Sequence, residues 1–161
     1  MRHGHQRLAL FLEKTRHVGD DESEQGFRDG IATSETASPP WICRPDKGPA
    51  SVIRELRRLQ SLPKPPTGYL LSNSFSYLTV LSQAAQQSQR VPHDISLISR
   101  DEDPFLFHLQ PAPTRYSIQP AKFAAALHNA IKRVETEGGE RFDVRIMPDF
   151  VKGASVGPPP Q

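Results

Sequence analysis

Short apolar runs alternate with longer amphipathic stretches along this chain. The runs at Arg7 to Leu12, Pro40 to Cys43, Tyr69 to Ser72, Ile95 to Ser99 and Val144 to Met147 are bounded by turn residues and predict short buried strands. Helices are predicted between them. Asp21 to Ile31 carries Glu22 and Glu24 early and a glycine near its exit, while Val52, Ile53, Leu56 and Leu59 form one helical face with Arg54, Arg57 and Arg58 turned outward. Those arginines read as a solvated face, with a phosphate or acidic-partner patch as the alternative. In Ser74 to Gln89, Ser74 suits an N-cap and Leu78, Leu81 and Ala85 recur at helical spacing. Ala121 to Thr136 follows Pro120 and lines up Phe123, Leu127, Ala130, Ile131 and Val134 along a stripe that needs a sheet or helix to cover it.

Strand and helix in alternation, joined by short connections, predict an α/β fold: a mostly parallel sheet with helices on both faces. Asp29 to Pro40 reads as irregular, and Gly157 to Gln161 as a disordered tail outside an ordered lobe at residues 1–156.

Composition narrows the function. At 161 residues the chain suits one domain, and its 16 prolines point to long irregular connections. Twenty Lys and Arg against 18 Asp and Glu leave a formal charge of +2, too small for a nucleic-acid footprint. A single cysteine, Cys43, cannot close an intrachain disulfide, and the apolar run Leu8 to Leu12 is too short for a signal peptide. The expectation is a cytoplasmic protein without membrane spans.

Asn73 and Asp101 each follow a predicted strand, and in open α/β sheets ligands sit outside the carboxyl ends of strands. An amide and a carboxylate on one rim point to a crevice for a small polar ligand. Asn73 equally suits capping of the next helix, and Asp101 equally suits a solvated loop carboxylate beside Glu102 and Asp103. The three acids lack the glycine and distal glutamate of a calcium loop, and His3 and His5, near a terminus expected to be loose, have no supporting metal ligands. Cys43 reads as a buried small hydrophobe, and Trp41 as either a sugar-stacking ring or an edge of the core. No phosphate loop, nucleophile elbow or zinc helix is present, so the chain reads as a binding protein that needs no catalytic residue, metal or cofactor.

The segments GHQRLALF, ESEQGFRDGI, PTGYLLSNS, VPHDISLISRDEDP and PDFVKGAS occur in this order from Gly4 to Ser155. In this the chain resembles the effector-binding half of LacI/GalR (lactose-repressor) family transcriptional regulators. The resemblance implies a type I periplasmic-binding-protein-like fold and covers roughly the second half of a typical member, its C-terminal subdomain. It implies a truncated regulator whose effector is a sugar or other small polar molecule, with DNA read only through a helix-turn-helix that is not in the sequence. It also implies that the helix at 121–136 belongs with the missing first lobe, so that its stripe seeks another cover, either on the lobe's own sheet or on a second copy in a homodimer or swapped dimer.

By that resemblance Asn73 matches a ligand-hydroxyl contact, and Asp101 the first acid of a loop that accepts from sugar hydroxyls. Arg100 stands where an aromatic is usual, which turns a stacking surface into a charge and points toward an anionic ligand, unless it is simply exposed. Ser23 falls where the family carries a ligand-binding arginine, and Ser74 where aspartate is common. The competing expectation is a degenerate fragment that keeps a dimerisation surface and no ligand. A transporter's sugar-binding component is disfavoured because no signal sequence is seen.

Overall fold

A computed structural model describes residues 3–15, 18–34, 37–137 and 142–160. The elements in chain order are β1 (Leu8–Phe11), α1 (Val18–Ala32), β2 (Trp41–Cys43), α2 (Pro49–Gln60), β3 (Gly68–Leu71), α3 (Ser74–Gln86), β4 (Ser96–Ser99), a 3-10 turn (Pro104–His108), β5 (Thr114–Ser117), α4 (Pro120–Glu137) and β6 (Asp149–Val151). The strands form one sheet in the order β2-β1-β3-β4-β5-β6, parallel throughout except for the antiparallel pair β5 and β6. The α/β expectation holds.

Strand order dictates where the helices lie. The chain moves one way from β1 to β2 and the other way from β2 to β3 and on to β4, and right-handed crossovers then place α1 on one face and α2 with α3 on the other. The main core fills the α2 and α3 side. Alternate strand residues Ala9, Phe11, Tyr69, Leu71 and Leu97 face Val52, Leu56 and Leu59 of α2 and Tyr77, Val80 and Ala84 of α3, all buried. Trp41 packs against the rim of this core, and Cys43 lies in it. Helix α2 begins at Pro49 after Gly48, whose φ of 97° suits glycine alone. Arg54, Arg57 and Arg58 are exposed, as their pattern predicts.

Several expectations are corrected. Val144 to Met147 is not a strand: the last strand lies at Asp149–Val151, where it pairs with β5 through Arg115 and Val151, Tyr116 and Phe150, and Ser117 and Asp149. β5 itself, a polar TRYS segment after Pro111 and Pro113, has no apolar run and gave no signal. The free edge of β4 and then of β5 recruits these strands by backbone bonding rather than side-chain pattern. Helix α1 starts before Asp21 and runs to Ala32, so Asp29 to Ala32 is helical rather than irregular.

The two ends of the lobe are stitched together. His5 is buried, and its Nε2 lies 2.8 Å from the Gly157 carbonyl while Nδ1 lies 2.8 Å from the Thr67 hydroxyl. A carbonyl only accepts, so Nε2 carries the proton and Nδ1 accepts from Thr67. Ser155 donates to the Leu97 carbonyl at 2.6 Å and accepts from the Thr114 N–H at 2.8 Å, and the Gly157 N–H reaches Ser96 Oγ at 3.0 Å. His5 is therefore a structural anchor and not part of a loose terminus. Gly157, expected in the tail, is buried and bonded; Gln161 lies outside the described residues.

Candidate functional site

Strands β1 and β3 are neighbours from which the chain winds in opposite directions, and the gap beyond their carboxyl ends is the switch point where open α/β sheets bind ligands. Glu13 follows β1, Ser72 and Asn73 follow β3, and Arg100 and Asp101 follow β4. The register carries these ends out together: Leu71 pairs with Ser99, the Arg100 N–H donates to the Leu71 carbonyl at 2.8 Å, and the Ser72 N–H donates to Phe11 at 2.9 Å. Asn73 and Asp101 thus emerge on the same rim of adjacent parallel strands.

They do not share one hollow. Asn73 lines a recess of about 330 Å³ with Lys14, Asp46 and Phe75, whereas Arg100 and Asp101 line a larger open cleft of about 1080 Å³, and Glu13 borders both. The cleft is lined by the carboxylates Glu13, Asp20, Glu22, Asp101, Glu102 and Asp103, and also by Tyr116, Ile118 and the segment Val144 to Pro148, which is apolar apart from Arg145.

Asn73 is occupied by the fold. Its Oδ1 accepts from the backbone N–H of Phe75 at 2.8 Å and of Ser76 at 3.3 Å, capping α3, and its Nδ2 donates to Glu13 Oε1 at 3.0 Å. The cap of α3 is therefore Asn73 rather than Ser74, because Asn73 sits in the extended conformation that an N-cap requires while Ser74 already has helical geometry and bonds Asp103. Asp101 keeps half of its side chain in solvent and uses Oδ1 for the Arg100 Nε–H at 3.3 Å. Burial of its surroundings pushes its carboxyl above the usual range, with Arg100 pulling it back down.

Arg100 is neither exposed nor free. Its Nη1 lies 2.5 Å from Oδ1 of Asp20, a carboxylate only 4% exposed, and 3.3 Å from Ser23 Oγ. The guanidinium therefore crosses from the end of β4 to the first turn of α1. Position 23, where the resemblance leads one to expect an arginine, instead receives one from the end of β4. The two departures read separately in the sequence meet in space. A signal for that pairing existed, since a serine and an arginine each broke the pattern, but only the fold joins them.

Glu102 is held below the usual carboxylate range despite its burial, because Ser117 and Arg115 donate to it, Arg115 Nε at 2.6 Å. The Cys43 thiol is pushed up to about 11 by burial, which removes it as a nucleophile at neutral pH. Among the described residues no group of three or more His, Cys, Asp or Glu is placed to hold a metal ion, and no helix is long and apolar enough to cross a membrane.

A mostly parallel, doubly wound lobe with a polar rim at its switch point defines a ligand-binding domain of the periplasmic-binding-protein type. Residues 1–156 match the family described as periplasmic binding protein-like domain, and the chain belongs to it. The chain is 28% identical over 158 residues to the HTH-type transcriptional repressor PurR of Aliivibrio fischeri, and 24% identical to that of Histophilus somni over 155. These alignments cover 95% of this chain but 47% and 46% of the relatives, so the chain spans about half the length of the curated relatives it matches. Solved structures agree on the fold: a putative LacI regulator from Bacillus cereus superposes with a TM-score of 0.82 at 18% identity, covering 96% of this chain and 55% of that one. A LacI-family regulator from Enterococcus faecium, solved with bound ribose, gives 0.81 at 16% identity over 98% of this chain and 59% of that one. The curated relatives it matches are transcriptional repressors.

Proposed function

We propose that residues 1–156 are the effector-sensing lobe of a LacI-type transcriptional regulator and bind a sugar-sized polar molecule in the acidic cleft. The observation that carries this reading is the convergence of Arg100, Asp101 and Ser72 on a cleft at the switch point of a fold matched over its whole length. Asp101 accepts from ligand hydroxyls; Asn73 contributes indirectly, by holding Glu13 and the start of α3 on the same rim. The relative solved with ribose supports a sugar as the kind of ligand. Residence in the cytoplasm accompanies this role, and reading of DNA belongs to a helix-turn-helix segment that residues 1–161 do not include.

One lobe encloses a ligand on one side, whereas tight sites bury about 70–90% of theirs, so affinity is weak until a second lobe closes over it. Thermal shift with a millimolar panel of sugars and nucleosides tests the reading. A ligand at ten times its Kd adds about 1.4 kcal/mol to stability. Asp101→Ala abolishes that gain, and a flat panel for the unmodified chain overturns the reading.

A second reading, that the chain self-associates, is favoured by α4. Phe123, Leu127, Ile131 and Val134 lie on one stripe and are each about half exposed. Antiparallel pairing of two copies sets Phe123 against Val134 and Lys122 against Glu135, a self-complementary register. Sedimentation equilibrium should give a dimer that Leu127→Glu dissociates and Asp101→Ala leaves intact. A monomer at every concentration rules it out.

A further inference from the structure

Resting on the sensor reading, we infer that the cleft selects ligands that bring hydrogen-bond donors without negative charge, a neutral polyol or better an amine-bearing one, and that Arg100 serves as its internal counter-ion rather than as an anion receptor.

The argument is one of charge already committed. Six carboxylates line the cleft against two guanidiniums, Arg100 and Arg145, and one of the six, Glu102, is paired with Arg115 at 2.6 Å. Arg100 spends Nη1 on Asp20 and Ser23 and Nε on Asp101. Arg145 pairs with Glu22 at 3.1 Å. An incoming phosphate or carboxylate would have to take Arg100 from Asp20, leaving a nearly fully buried carboxylate unpaired, and would then face the remaining acids. Carboxylates accept and cannot donate, so the ligand must supply the donors. Ile118, Ile146 and Met147, which also line the cleft, suit the apolar face of a ring, and an ammonium or hydroxyl group elsewhere on the ligand would complement the acids. Arg100 therefore positions Asp20 and Asp101 and sets specificity, reversing the anionic preference that its identity alone suggests.

Isothermal titration of the full chain with glucose, glucosamine, ribose and ribose 5-phosphate decides the matter. Glucosamine should bind at least about fivefold tighter than glucose and ribose 5-phosphate at least about fivefold weaker than ribose, both ratios shrinking in high salt. Asp20→Asn removes the pairing charge and releases the guanidinium, so the variant should gain affinity for ribose 5-phosphate. Arg100→Lys keeps a cation beside Asp20 where Arg100→Gln risks misfolding, and it should preserve the ranking of the four ligands. Tighter binding of the phosphate by the unmodified chain, or no gain in Asp20→Asn, overturns the inference while leaving a sensor intact. Heat from none of the four overturns the inference, whereas the sensor reading falls only if the wider panel of sugars and nucleosides is flat as well.

Discussion

Helices α2 and α4 carry the same kind of apolar stripe and meet different fates. Val52, Leu56 and Leu59 of α2 are buried against β1 and β3, whereas Phe123, Leu127, Ile131 and Val134 of α4 stay about half exposed, joined by Phe150 and Met147 nearby. Helical periodicity records that a face seeks cover, and it is silent about whether that cover belongs to the same chain. The half of the lobe around α2 is a closed core, and the half around α4 leaves its apolar face uncovered.

Matched truncations should expose the difference most strongly. Leu56→Ala removes a fully buried side chain and should cost about 2–5 kcal/mol in urea unfolding, while Leu127→Ala should stay within about 0.5 kcal/mol at concentrations where the chain is monomeric. Equal losses would mean that α4 is as well packed as α2. Glycines sharpen the same contrast. A Cβ on Gly153 would lie 2.3 Å from the Ala112 carbonyl oxygen and 2.5 Å from the Pro113 backbone, so Gly153→Ala should cost about 1–3 kcal/mol or more. Gly26 on α1 meets nothing within 4 Å, and Gly26→Ala should gain about 0.4–1 kcal/mol. Thermal melts of the two variants should therefore shift in opposite directions.

The stitched chain ends add a pH dependence. Burial lowers the His5 pKa below its ordinary 6.5, so the folded state holds the neutral ring and the unfolded chain binds the proton more readily. Stability from this source is complete above about pH 6.5 and declines as pH falls below that value toward the folded pKa. In His5→Gln the loss in melting temperature between pH 7 and pH 5 should shrink, and an unchanged slope would show that other groups carry it. A modest effect is expected at the rim. Asn73→Ala should cost about 1 kcal/mol through loss of the α3 cap, measured by chemical denaturation. A loss near zero would mean that the Asn73 amide is free for ligand.

Much of the fold was legible in the residues. β1, β3 and β4 are apolar runs bounded by turns, and Pro49 and Pro120 open helices with clear stripes, so local chemistry and the final structure agree there. β5 and β6 were illegible because a polar edge strand is chosen by the backbone groups its neighbour leaves open, and Val144 to Met147, apolar yet unpaired, gave the opposite signal. At the site, sequence placed Asn73, Arg100 and Asp101 at strand ends, and the structure puts all three on one rim. What each does there was not legible. Asn73 caps α3 with its Oδ1, and Arg100 forms an ion pair with a residue eighty positions away.

The sequence by itself determined the alternation of buried strand and amphipathic helix, and with it the sheet, the switch point and the polar character of its rim, because hydrophobic period and turn chemistry act within a few residues. Tertiary structure alone decided which charges neutralise one another, which stripe finds a partner within the chain, and that His5 meets Gly157. Those outcomes depend on groups brought together across the whole length of the chain, and Coulomb attraction, desolvation and burial act on distances in space that sequence spacing does not encode.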